Sequence, residues 1–133
     1  MIIIHFTQRA ADPLESFSPS SFLPLADGEG NTHISCLHLS TGGKVPSPST
    51  THAAALLVVH GRITVETPFP RSQIDIHAGM GAVFDKDETY SLKSEEGAIV
   101  LIVESDHLLV SDRAISTPKR IAGATWPTDN LAA

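Results

Sequence analysis

Residues 54–65 read Ala54-Ala-Leu-Leu-Val-Val-His-Gly-Arg-Ile-Thr-Val65, an apolar run, a glycine, and a second run in which polar and apolar residues alternate. A similar stretch, residues 77–85, surrounds Gly79. Glycine permits the positive φ angles of tight turns, so we expect a turn at each glycine and a strand after it. No stretch of ten or more residues keeps the roughly 3.6-residue period of an amphipathic helix. The pattern predicts an all-β protein.

The chain has 133 residues, the length of one ordinary domain. We predict a single domain with an N-terminal strand and arm at 1–32, a barrel core at 33–111 and a C-terminal tail at 112–133. One helical turn could begin at Asp12. The strand spacing fits a sandwich or a barrel. The candidate strands are residues 2–6, 33–39, 52–59, 62–67, 74–77, 81–84, 90–93, 98–104 and 107–111.

Two glycine-framed blocks, residues 42–61 and 79–90, carry a family resemblance. The first block has Gly42, Pro48, Thr50, Ala54 and Gly61 at its marked places. This spacing resembles the first motif of the cupin superfamily, which runs glycine, five residues, His-x-His, three or four residues, Glu, six residues and glycine. The resemblance covers about residues 39–104. It implies a cupin-type double-stranded β-helix, a jelly-roll barrel similar to small sugar-epimerase-like cupins.

The second block has Gly79, Asp85, Asp87 and Tyr90 where the cupin motif has glycine, Pro-x-Gly and His. The glycine frame is kept, but all four metal-ligand positions that the resemblance implies are changed. Pro48 and Ala54 offer no donor atom, Thr50 offers only a neutral oxygen, and Tyr90 replaces an imidazole. Transition-metal sites need converging imidazole and carboxylate donors. The sequence therefore predicts no metal at this place and no cofactor.

Seven histidines keep a relocated metal site open as a hypothesis. Side chains alternate along a strand, so His52 could share the side of Thr50 and join His38 in a two- or three-His site. Against this site, we expect no Asp or Glu on these strand faces to complete the ligand set. We then expect His52 to make a pocket hydrogen bond, and three others to be strand-end surface residues: His60, His77 and His107.

A small barrel can hold one small ligand in its mouth. The first hypothesis is a metal-independent cupin that binds a small organic molecule. The alternatives are a metal-free isomerase, epimerase or cyclase, a metalloenzyme with relocated histidines, and a packed barrel that serves as a structural or dimeric module. In the first alternative, His52 is the general base and Tyr90 the acid, a pairing that resembles the superfamily's sugar-nucleotide epimerases. The expected ligand pocket is lined by Pro48, Thr50, His52, Ala54, Leu56, Phe84, Tyr90 and Leu92.

Charge and hydropathy restrict the expected partners. The net charge is -6 and the Lys and Arg residues are scattered, so no basic field would collect nucleic acid. The apolar runs are far shorter than the about 20 residues of a membrane-spanning helix, and we expect no membrane partner. The first residues lack the basic segment of a secretory signal, which predicts a cytoplasmic protein.

Two runs, residues 53–59 and 98–103, are apolar at both odd and even positions. A strand with one wet face should alternate, so we expect both faces of these strands to be covered. A homodimer is the simplest cover, and coverage by residues 1–25 and 117–133 is the rival. The single cysteine, Cys36, cannot form an internal disulfide and is expected to be a small buried hydrophobe.

Overall fold

A computed structural model describes residues 1–7, 12–13, 21–46 and 51–115. Over these ranges the chain is all-β, as predicted, and contains no helix that could cross a membrane. The short strands are β1 (Ile2–His5), β2 (Asp12–Pro13), β3 (Ser21–Phe22), β5 (Lys44–Val45) and β9 (Ser91–Lys93). The longer strands are β4 (Ala26–Leu39), β6 (Ala53–Pro68), β7 (Arg71–His77), β8 (Met80–Phe84) and β10 (Ala98–Val110).

Eight of the ten described strands form two antiparallel layers that share β6, and β2 and β3 pair only with each other. The first layer has the order β1-β8-β6-β10-β4. In the second layer, β6 pairs with β7 and β9, and β9 pairs with β5. Apolar side chains from both layers meet in one buried core, so the arrangement is the predicted jelly-roll barrel. The core includes Leu56, Val58 and Val100 from the first layer and Ile63, Val65, Ile76 and Leu92 from the second.

Strand β6 passes from one layer to the other at Gly61. Residues 53–61 pair with β10, and residues 62–68 pair with β7. Gly61 has φ +80°, and a Cβ there would collide with the carbonyl oxygen of Gly97. A positive φ next to a register shift bends a strand without ending it. The expected tight turn at Gly61 is therefore wrong, whereas the turn at Gly79 before β8 is confirmed.

Three other elements differ from the prediction. β10 is one strand, whereas the sequence predicted two strands separated by residues 105–106. A register shift near Asp106 accommodates these polar residues without ending the strand. β4 begins at Ala26, seven residues before the predicted start at residue 33. Asp12 and Pro13 pair with Phe22 and Ser21 instead of starting a helical turn.

The outer face of the first layer is partly covered by the chain itself. Ile4, Ala55, Val83 and Ala114 form a second buried cluster, and Leu25, Leu108 and Val110 pack against it. Ile4 is a member of this layer, in β1, so the part of the expected cover that comes from residues 1–25 is Leu25. Cys36 is exposed, so its predicted burial is wrong. The reason is that β4 is an edge strand, with β10 as its only strand partner among the described residues.

Candidate functional site

One row of side chains crosses the inner face of the first layer where its apolar core ends. Glu104 on β10 lies opposite both His33 on β4 and Ala54 on β6, and Ala54 lies opposite Phe84 on β8. Directly paired residues point to the same side of a sheet, and Leu56, two residues after Ala54, is in the core. This row therefore faces inward, and it brings a partly buried carboxylate to one end of the barrel.

A second histidine and a second carboxylate lie beside this row. His52 Nε2 is 3.8 Å from Asp106 Oδ1, and His52 Nδ1 is 2.9 Å from Thr51 Oγ1. The rings of His33 and His52 meet edge to face, with centroids 6.3 Å apart and planes at 84°. Two imidazoles and two carboxylates, from β4, from β10 and from the residue just before β6, thus lie at the same end of the barrel.

Tyr90 adds a phenol to this group, beside Phe84 at the other end of the row from His33. Its ring stacks on Phe84 with centroids 4.0 Å apart and planes at 12°, and the residue is only 5% exposed. Burial raises the pKa of the Tyr90 hydroxyl above its ordinary value, and the negative charge of Glu104 raises it further. The phenol is therefore a hydrogen-bond donor at neutral pH. We call His33, His52, Tyr90, Glu104 and Asp106 the polar end.

The raised pKa of Tyr90 gives a direct prediction, because Tyr90 is the only tyrosine of the chain. Phenolate absorbance should titrate at a higher pH in the native protein than in the denatured protein. Above the ordinary pKa of 10.0, the unfolded chain loses a proton that the folded chain retains, so stability should fall as pH rises from about 10 to the folded pKa. Equal native and denatured midpoints would contradict this burial. Tyr90→Phe is the matched control and should lose the titration.

Two open cavities lie around the turn between β6 and β7, and of the two only the larger is lined by a residue of the polar end, Tyr90. The larger, about 600 Å³, is lined by Tyr90, Ser91 and residues on both sides of the β6–β7 turn, including Glu66, Arg71 and Gln73. The smaller, about 430 Å³, contains Phe69, Asp87 and Glu88. The two cavities share Thr67, Pro68 and Ser72. Each has the volume of a small-molecule site.

The residues expected to line a ligand pocket fall into three groups. His52 lies at the polar end, where its hydrogen bond goes to Thr51. Pro48 and Thr50 lie outside the described residues. Five others are buried, at most 5% exposed, and belong to the barrel interior, one of them, Tyr90, being also part of the polar end: Ala54, Leu56, Phe84, Tyr90 and Leu92. His60, His77 and His107 are exposed, as predicted, but only His77 lies at a strand end, because His60 lies within β6 and His107 lies within β10.

Sequence reasoning missed Glu104 and Asp106. The expectation that no acidic residue shares these strand faces is wrong, because the pairing of β10 with β4 sets Glu104 opposite His33. One signal was present in the sequence. Val100, Ile102 and Glu104 alternate along β10, which predicts that all three point the same way.

The described residues do not fit a metal centre. Over residues 1–7, 21–46 and 51–115, no group of three or more His, Cys, Asp or Glu side chains could hold a metal ion. The contacts observed here are between the side chains themselves: the rings of His33 and His52 meet edge to face, and Asp106 lies 3.8 Å from His52. We therefore derive no chemistry through a metal at the polar end.

Comparison with known proteins identifies the fold. No protein-family model and no curated protein sequence matches the chain. A cupin superfamily protein from Desulfitobacterium hafniense matches its structure with a TM-score of 0.54 and 12% identity, over 62% of this chain and 77% of that one. An RmlC-like cupin from Shewanella frigidimarina matches with a TM-score of 0.52 and 14% identity, over 57% and 67%.

A third structure extends the range of these neighbours to an animal protein. The cupin domain of Drosophila melanogaster CENP-C has a TM-score of 0.51 and 18% identity, over 54% of this chain and 56% of that one. At such low identity the likeness concerns architecture alone. The two layers, the strand pairing and these neighbours agree, and the chain has the cupin fold.

Proposed function

We propose that this protein binds a small organic molecule at the polar end of its barrel without a metal ion. The observation that carries the proposal is the inward-facing row in which Glu104 is paired with His33 and is within electrostatic reach of the buried Tyr90 hydroxyl. A partly buried carboxylate loses favourable hydration, and a ligand donor restores a partner to it. Such placed polar groups beside an apolar wall are typical of ligand sites.

The chemistry of the polar end selects the class of ligand. Glu104 and Asp106 accept hydrogen bonds, Tyr90 donates one, and each neutral imidazole can do either. A compound with hydroxyl or amino groups beside a carbonyl would satisfy both kinds of partner. The adjoining 600 Å³ cavity adds Gln73, Ser91 and Arg71, which suit the same polar compounds. We therefore expect small hydroxylated or amino compounds to bind, and hydrocarbons of the same size not to.

A thermal-shift screen of such compounds tests the proposal. A compound at about 100 times its Kd stabilises the folded protein by about 2.7 kcal/mol, which raises Tm by several degrees. Glu104→Gln should abolish the shift, because it removes the charged acceptor and keeps the shape. Glu95→Gln is the matched control, because Glu95 is exposed in the turn before β10, and it should keep the shift. A screen with no shift, or equal shifts in both variants, would contradict the proposal.

A metal-free isomerase or epimerase is the second candidate, and one contact favours it. Thr51 Oγ1 lies 2.9 Å from His52 Nδ1 and supplies the orienting partner that a general base needs. Such an enzyme removes a proton next to a carbonyl group. Compounds that bind should then exchange that C–H in deuterated water, and His52→Gln should stop the exchange. If the compounds bind but their C–H does not exchange, the binding function stands, and proton removal by His52 is excluded for those compounds.

A further inference from the structure

The free edge of β4 has a protected part and an unprotected part. Asp27, Glu29 and a positive-φ Gly30 with a register shift occupy its first half, and charges and bulges of this kind protect edge strands from pairing. Residues 32–39, Thr-His-Ile-Ser-Cys-Leu-His-Leu, contain no Asp, Glu, Lys, Arg or Pro, and their register with β10 is unbroken. Among the residues that the structure describes, only β10 pairs with this strand. The second half is thus an open template for another strand.

Apolar side chains on the outer face lead to this same edge. One row across five strands is entirely apolar, and a parallel row adds only a glycine and Cys36. Both rows pass through residues of the second buried cluster, Ile4, Ala55 and Val83, and end uncovered at β4, where Ile34 is 71% exposed and Cys36 is exposed. The rows are Ile2-Val83-Ala55-Val103-Ile34 and Ile4-Gly81-Leu57-Leu101-Cys36.

We propose that residues 32–38 of β4 pair antiparallel with the same residues of a second copy, across a two-fold axis at Ser35. A two-fold axis perpendicular to a sheet makes identical edge strands antiparallel, so the segment is its own partner. With Ser35 on the axis, Ile34 lies opposite Cys36 of the partner subunit on the outer face. Each apolar row then continues into the partner's apolar row. A centre one residue later would instead place Ile34 opposite His38 of the partner subunit.

The mass of the protein in solution tests this dimer. Light scattering at micromolar concentration should give twice the 14.1 kDa chain mass for the wild type. Ile34→Lys should give a monomer. Its Tm should equal that of the wild type diluted until it is monomeric, because this side chain is mostly exposed in the single chain. Leu109→Lys is the matched control, since Leu109 is 68% exposed on β10 away from this segment, and it should stay dimeric. A monomeric wild type, as expected if β4 pairs with residues 116–133 or with a foreign strand, would overturn the proposal. A dimeric Ile34→Lys would overturn it as well.

A disulfide tests the register. Directly opposite residues of antiparallel strands have Cα atoms about 4.5–5.5 Å apart, within the range that a disulfide spans. In a Cys36→Ser background, Ser35→Cys should therefore link two copies under mild oxidation. Cys36→Ser alone and Cys36→Ser with His77→Cys, another exposed position, should not. Linkage at Ile34→Cys without linkage at Ser35→Cys would place the axis elsewhere and reject the proposed register.

Discussion

Gly61→Ala should destabilise the protein by about 2–5 kcal/mol, a large part of the stability of a domain of this size. A residue with a side chain costs about 1–2 kcal/mol at the positive φ of this position. The new Cβ would also meet the carbonyl oxygen of Gly97 and the Cα of Ala98, which are backbone atoms where the chain enters β10 and cannot rotate away. Relief requires β6 to leave β10 where it crosses between the layers. Chemical denaturation would measure the loss.

Gly42→Ala separates the two costs. Gly42 has almost the same φ, +78°, but nothing lies within 4 Å of the Cβ that Ala would add. This variant should lose only the conformational part, about 1–2 kcal/mol. Equal losses in the two variants would show that the close approach at Gly97 is not a constraint. That result would contradict the crossing of β6 at Gly61.

Phe84→Ala should destabilise the protein by about 3–5 kcal/mol, the usual cost of removing a buried aromatic ring. Phe84 is fully buried, lies opposite Ala54 and stacks on Tyr90. Its removal leaves a cavity between the layers and takes away the support of the Tyr90 ring. Thermal and chemical unfolding should both show the loss. Native Tyr90 should then ionise nearer its ordinary pKa, because water reaches it.

Two variants control for this change. Phe84→Leu retains most of the apolar volume and should lose clearly less stability than Phe84→Ala. Phe69→Ala removes the same ring from a side chain that is 92% exposed, and it should leave stability within about 0.5 kcal/mol of the wild type. A Phe84→Ala protein as stable as Phe69→Ala would mean that the barrel interior is not packed around this ring.

The architecture could be predicted because positions that need a positive φ favour glycine, so the spacing of the glycines reflects the fold. Gly61 and Gly79 both have positive φ, and β6, β7, β8 and β10 overlap the apolar runs that predicted strands. The sequence did not show that Gly61 bends one strand instead of ending it. A turn and a strand crossing need the same φ, and only the partner strands distinguish them. The neighbours of β6, namely β10 before Gly61 and β7 after it, come from distant parts of the chain.

The polar end was harder to predict because it depends on register between strands. His33 and Glu104 are far apart in sequence and meet only because β4 and β10 pair as they do. A shift of one residue would turn Glu104 to the other face of the sheet. Tyr90 was found at a cupin motif position and His52 by its alternation with Thr50, whereas Glu104 and Asp106 lie outside the motif and carried no family signal.

The exposure of Cys36 shows a third kind of limit. Its apolar neighbours Ile34 and Leu37 are of residue types that are typical of buried strands. The sequence pattern cannot distinguish a central strand from an edge strand. The structure places β4 at the edge, which leaves Ile34 and Cys36 on the surface. These exposed apolar residues on an edge strand form the surface that we propose for association.

The central claim is that a small organic molecule binds at the polar end, and a titration followed by nuclear magnetic resonance tests it most directly. The Tyr90 ring and the imidazole C–H signals of His33 and His52 report on the site, while exposed His77 and His107 are controls within the same molecule. We predict that a compound selected by thermal shift moves the Tyr90, His33 and His52 signals in a saturable way and leaves the two controls in place. Saturable binding that moves only the controls, or moves none of the five residues, would contradict the account.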